Sequence, residues 1–145
     1  MTSKHFIVGF GIFVAAIAVF SIYLSSIVER TDRSVTAVLS PDKKMKAVRL
    51  TLEGHGRKPF CIDSVSVMLS AYPDEFAASR KEYEVYSGPC ARFAGGADSP
   101  KVEWRSPTEL QISYAASVDA RPSRRSTRKT IDVTKSVHIN FAPAP

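Results

Sequence analysis

Three histidines, His5, His55 and His138, are the general-base candidates in this chain of 145 residues, and none stands in a recognisable catalytic spacing. His5 flanks a long apolar run, His55 lies between Gly54 and Gly56, and His138 falls in the polar phase of an alternating segment. A nucleophile needs a base and an oxyanion donor within reach. Ser64 follows Asp63, but no Gly-x-Ser-x-Gly elbow surrounds it. There is no phosphate-cradling glycine loop and no His-Glu-x-x-His pair of metal ligands. Carboxylates are paired at Asp74/Glu75 and at Glu82/Glu84, the latter on one face of a possible strand, where a solvated acidic edge is a plainer reading than a general acid/base couple. These residues lead to the expectation of a non-enzyme with no catalytic group, no cofactor and no bound metal.

Cys61 and Cys90 are 29 positions apart. In an oxidising compartment they most simply form one disulfide, and closing a loop of that length stabilises by roughly 3–4 kcal/mol in the chain-entropy picture. In a reducing compartment both would be ordinary small buried residues. A metal held by His55, Cys61 and Cys90 would match no established zinc spacing. The densest charge cluster is Arg121, Arg124, Arg125, Arg128 and Lys129, expected as a mobile hairpin loop between the segments of Tyr114 and Ile131. It reads either as a contact for anionic lipid headgroups, an acidic polymer or an acidic protein face, or as a solvated loop. No aromatic residue is interleaved, which argues against nucleic acid.

What must carry these residues is an anchored domain. From Phe6 to Val28 no residue is charged, and at about 1.5 Å per residue the run crosses the roughly 30 Å hydrocarbon core of a bilayer. Ser21, Tyr23, Ser25 and Ser26 are its only polar side chains and gather towards its C-terminal end, where Tyr favours the interface. A cleaved signal peptide is the rival, but its apolar region is about 7–15 residues and ends in a small-x-small site. The expectation is a single-pass signal anchor over residues 1–29 and an extracytoplasmic domain over 30–145, with the N-terminus inside a bacterial inner membrane. The flanking Lys/Arg residues are nearly balanced; the very short leading tail and the two cysteines favour this orientation. Lys4 and Glu29 are the only formally charged side chains before Arg30, so the domain carries the whole net charge of +6.

Beyond Arg30 the apolar residues recur with period two, the signature of strands. Seven segments show it: Val35/Ala37/Leu39, Val48/Leu50/Leu52, Val65/Val67/Leu69, Val102/Trp104, Leu110/Ile112/Tyr114, Ile131/Val133 and Val137/Ile139/Phe141. Turn chemistry separates them at Ser40-Pro41-Asp42-Lys43 and at Ser106-Pro107-Thr108, while Gly54, Gly56 and Gly95-Gly96 mark longer loops. Pro73 to Lys81 opens with Pro and acids and closes with bases, predicting a short surface helix. The fold class expected is mainly β: an N-terminal transmembrane helix, then a small antiparallel sheet or sandwich of about seven strands.

Ser40, Pro41, Asp42 and Lys44, then Ala47 and Val48, Cys61, Trp104, Leu110, Ile112 and Tyr114, follow a recurring order. In that order the chain resembles a loose family of short, uncharacterised bacterial envelope proteins, over roughly residues 38–116. Lys43 stands where that family usually has Gly, which implies a less tight turn. The resemblance implies a β-rich envelope domain and names no catalytic residue or ligand. The functional expectation is a membrane-anchored binding or assembly module, an accessory subunit of an envelope complex with a protein partner there. Two alternatives stand beside it. One is a periplasmic inhibitor or immunity protein acting through loop 54–60 or 119–129. The other is a hydrolase whose site would draw on two or more of His55, Asp63, Glu82 and Glu84.

Overall fold

The computed structural model describes residues 17–19, 30–56, 58–118 and 126–144. The alternating segments become strands in this chain order: β1 (Arg30–Leu39), β2 (Met45–His55), β3 (Phe60–Leu69), the short helix α1 (Phe76–Ser79), β4 (Glu84–Pro89), β5 (Ala91–Arg92), β6 (Asp98–Ser99), β7 (Lys101–Ser106), β8 (Glu109–Ala115), β9 (Thr127–Arg128) and β10 (His138–Ala144). One sheet runs β1-β2-β3-β4-β9, a second runs β10-β8-β7, and β5 pairs with β6. The five-stranded sheet is antiparallel throughout.

The two larger sheets share one core. Met45 and Ala47 of β2, Val65 and Val67 of β3, and Val85 and Tyr86 of β4 pack with Leu110, Ile112 and Tyr114 of β8 and with Val137 and Ile139 at β10. Full burial of a large apolar side chain stabilises by about 1.5–3 kcal/mol. A one-residue slip of β2 would exchange Met45 and Ala47 for their neighbours, so the register is strongly held. Trp104 of β7 closes one side: its indole N–H donates to the Val38 carbonyl of β1 at 3.0 Å. On the outer face, Val48 and Met68 are covered by Ala77 of α1, with Tyr72, Phe76 and Tyr83 packed alongside. Lys46, only 6 % exposed, reaches Asp74 and the Tyr72 carbonyl.

Of the apolar run Phe6–Val28, all but residues 17–19 lies outside the described residues; those three are helical, with Ile17 and Val19 exposed. Among the described residues no helix is long and apolar enough to cross a membrane.

The structure corrects the expected strand set at three points. Ile131 and Val133 do not form a strand: Ile131 makes one isolated bridge to His138, and Val133 is exposed. Asp132 is the cause. It is 2 % exposed; its Oδ1 accepts the amides of Ser136 at 2.8 Å and Val137 at 2.7 Å, and its Oδ2 accepts the Thr134 amide at 2.9 Å and the Thr134 hydroxyl. A short acidic side chain that binds the backbone ahead of it competes with a sheet ladder. Burial alone would raise the pKa of Asp132, and these four bonds outweigh it and hold the carboxyl below the ordinary range. Second, β4 lies outside the seven alternating segments: the possible strand at Glu82/Glu84 begins only at Glu84, and Glu84, Val85, Tyr86 and Ser87 are all buried. A register shift between Val65 and Ser66 opposite it breaks the alternation, and successive residues Val85 and Tyr86 both enter the core. Third, the sheets are not wholly antiparallel: β10 runs parallel to β8, which the long connection over residues 116–137 permits.

The Ser40 turn carries its own strain. Ser40 Oγ donates to Asp42 Oδ1 at 2.7 Å and accepts the Met45 amide at 3.0 Å, while the Lys43 amide donates to the Ser40 carbonyl at 2.9 Å. Lys43 has φ 58°, in the left-handed region that disfavours a residue with a Cβ. Lys43→Gly is therefore expected to stabilise the domain by about 0.5–1 kcal/mol, measured by urea unfolding. A loss of stability would show that the turn is not held left-handed.

Candidate functional site

The inner face of the large sheet changes character halfway along. On β2 it reads Met45, Ala47, then Arg49, Thr51, Glu53; on β3 it reads Val67, Val65, then Asp63 and Cys61. The apolar half lies under β8. The polar half, with Ser34 of β1 opposite Thr51, lies under the β5–β6 hairpin. Between them is a half-open cavity of about 370 Å³, lined by Ser34, Arg49, Thr51, Glu53, Asp63, Cys90, Ala91, Arg92 and Asp98. That volume falls within the range of small-molecule sites.

Asp63 forms the floor and is 1 % exposed. Its Oδ1 accepts Arg49 Nε at 3.2 Å, Arg49 Nη2 at 3.1 Å and the Thr51 hydroxyl. Arg49 Nη2 also donates to the Ser99 carbonyl at 3.0 Å, and Ser99 Oγ accepts the Ala115 amide at 2.9 Å. The hairpin, the end of β8 and the cavity floor are thus joined through one serine. Burial pushes the Asp63 carboxyl above the ordinary range, and Thr51 and Arg49 pull against that rise. Among the described residues neither Asp63 Oδ2 nor Arg49 Nη1 makes a hydrogen bond. Neither atom is sealed from solvent.

The rim is pinned covalently. Cys61 and Cys90 form a disulfide with Cα atoms 5.3 Å apart, and the Cys90 amide donates to the Cys61 carbonyl at 3.2 Å. With both sulfurs in this bond, the set His55, Cys61, Cys90 has no thiolate to offer a metal. Below the bridge Phe60 lies over Gly54, where an added Cβ would come within 2.2 Å of the ring.

The other candidate residues are dispersed. His55 sits past the cavity in a shallow depression with Glu53, Pro59 and Phe60, its Nε2 3.1 Å from Asp32 and 3.9 Å from Glu53. Glu82 lies in the turn Lys81–Tyr83 next to Arg80. Glu84 opens β4 and pairs with Lys81 at 3.3 Å, so the two do not share a strand face. Asp74 is bound to Lys46, and Glu75 precedes α1. Ser64 and Asp63, adjacent on a strand, point to opposite faces of the sheet. His138 is exposed on β10. In the basic cluster, Arg121, Arg124 and Arg125 lie outside the described residues. The other two are not in a free loop: Thr127–Arg128 pairs with β4, the Arg128 guanidinium lies 4.2 Å from the Tyr114 ring centroid, and the Lys129 amide donates to the Val85 carbonyl at 2.8 Å. The aromatic ring and the strand edge supply the hold that charge repulsion alone would deny.

Arg49, Thr51, Arg92 and Asp98 were not singled out from the sequence. The first two read as the solvent phase of a strand; in the folded register Thr51 stands opposite Asp63 and Arg49 opposite Val65, one pair further along the same face, and a single strand's sequence does not display that neighbourhood. No family model, no curated protein and no solved structure matches the chain.

Two outcomes follow. Replacing both cysteines by Ser should lower stability to unfolding by roughly 3–4 kcal/mol, and dithiothreitol should do the same to the native protein; no change would mean the bridge does not constrain the chain. Arg49→Met leaves Asp63 without its cation and should cost about 2–3 kcal/mol at pH 7. The folded-state pKa of Asp63 is raised, so the carboxyl is neutral below that value and Arg49 then contributes little. The difference between the two proteins should therefore shrink as pH falls through that value, and a pH-independent difference would contradict the pairing.

Proposed function

We propose that this protein is a membrane-anchored extracytoplasmic binding or assembly module, an accessory subunit of an envelope complex in a bacterial inner membrane. The observation that carries the reading is the Cys61–Cys90 bridge at the mouth of a polar cavity. A structural disulfide belongs to an oxidising compartment, and a cavity with unused hydrogen-bonding atoms is suited to binding. The apolar run Phe6–Val28 supplies the anchor. The resemblance to short envelope proteins points to the same compartment. β1 starts at Arg30, two residues beyond that run, and Arg30 pairs with His55. The cavity end of the β1–β2 pair is therefore the end nearest the bilayer in this reading.

Phe60, 43 % exposed on its glycine, gives the inhibitor or immunity alternative one apolar tip in loop 54–60. The hydrolase alternative draws less support, since of His55, Asp63, Glu82 and Glu84 only Asp63 lines the cavity.

Alkaline carbonate should leave the full-length protein in the membrane pellet, and purification in mild detergent should recover one stoichiometric partner. Release by carbonate would remove the anchor from the account, and a lone monomer would remove the assembly role.

A further inference from the structure

We propose that the cavity is a site for a primary ammonium group, seated on Asp63 Oδ2. The inference rests on the binding-module reading and names the chemistry that the module takes. Asp63 is almost fully buried and lines the cavity, and one of its oxygens is satisfied three times over while the other makes no hydrogen bond among the described residues. An ionised acceptor leaves most free energy unrealised when it lacks a charged donor, because charge-assisted bonds are about twice as strong as neutral ones. Around it the cavity has Glu53 and an Asp98–Arg92 pair at 3.4 Å, and Arg49 is engaged through Nε and Nη2 by Oδ1 and by the Ser99 carbonyl. The lining therefore holds one more carboxylate than guanidinium and favours a cation.

The form of that cation follows from what remains free. A guanidinium recognises a carboxylate through both oxygens, and here Oδ1 is taken. A quaternary ammonium prefers aromatic walls, and among the described residues no aromatic ring lines this cavity. A divalent ion needs several converging oxygens, and among the described residues no group of three or more His, Cys, Asp or Glu is placed to hold a metal. A primary ammonium is compact, with three donors, and needs one desolvated carboxylate oxygen with further acceptors near it. Two sources present this group: a lysine side chain or other soluble amine, and the headgroup of an aminolipid.

The test uses full-length protein in nanodiscs and follows the backbone amide resonances of Thr51, Asp63 and Cys90. In one arm, phosphatidylcholine discs are titrated with L-lysine amide. In the other, phosphatidylethanolamine replaces phosphatidylcholine with no amine added. A saturable shift in either arm supports the site and identifies the source. Asp63→Asn should weaken it at least tenfold. Glu53→Gln, which leaves the Arg49–Asp63 pair intact, should weaken it severalfold. The proposal fails if neither arm shifts these resonances, if both variants respond like the parent, or if acetate produces the same shift as the amine. Carbonate extraction of the membranes from which the protein is purified separates this failure from that of the anchor, because the lysine amide arm can be read whether or not the protein is integral.

Discussion

The sandwich is organised around a carboxylate that the fold takes out of water. Asp63 sits where the apolar half of the inner face ends, and a charge buried there is tolerated only with a cation and hydrogen bonds to meet it. Arg49 and Thr51 supply them from the neighbouring strand. Their demands propagate: Arg49 also needs the Ser99 carbonyl, and Ser99 is tied to the end of β8. The β5–β6 hairpin is thereby held over the sheet. Replacing a buried ion pair by well-packed apolar residues is often neutral or stabilising, so net stability alone does not account for this pair.

The disulfide acts on the same region from the other side. Residues 61–90 include the turn after β3, the small helix and β4, and their termini meet at the cavity rim. One covalent constraint and one buried polar network thus fix the part of the sandwich that the apolar core does not reach. At the opposite end the core is continuous, with α1 and the tyrosines Tyr72 and Tyr83 covering the outer face.

Periodicity made the strands of Leu39, Leu50, Val67, Trp104, Ile112 and Ile139 legible, because their apolar residues alternate cleanly. It misread Ile131 and Val133, where Asp132 binds four donors ahead of it and replaces a ladder with a loop. It marked only the start of β4, as a possible strand at Glu82/Glu84, because the bulge puts two successive residues into the core and breaks the alternation. The parallel partner of β8 could not be read either, since alternation says which face a residue takes and not which strand lies beside it. The site was harder still. Cys61 and Cys90 stand out in the sequence, and Asp63 does so beside Ser64 and as one of four scattered candidates for a hydrolytic site, but Arg49, Thr51 and Glu53 have the pattern of a solvated face. Whether a polar face meets water or a second layer depends on tertiary packing that a single strand does not encode.

The most direct measurement is a titration of the side-chain carboxyl ¹³C resonances of the aspartates in the native protein. Asp63 should titrate above the roughly 3.9 of an unperturbed aspartate, while Asp132 titrates below it. If Asp63 instead titrates with or below the exposed aspartates, it is not a desolvated group at a cavity floor, and the site described here does not exist.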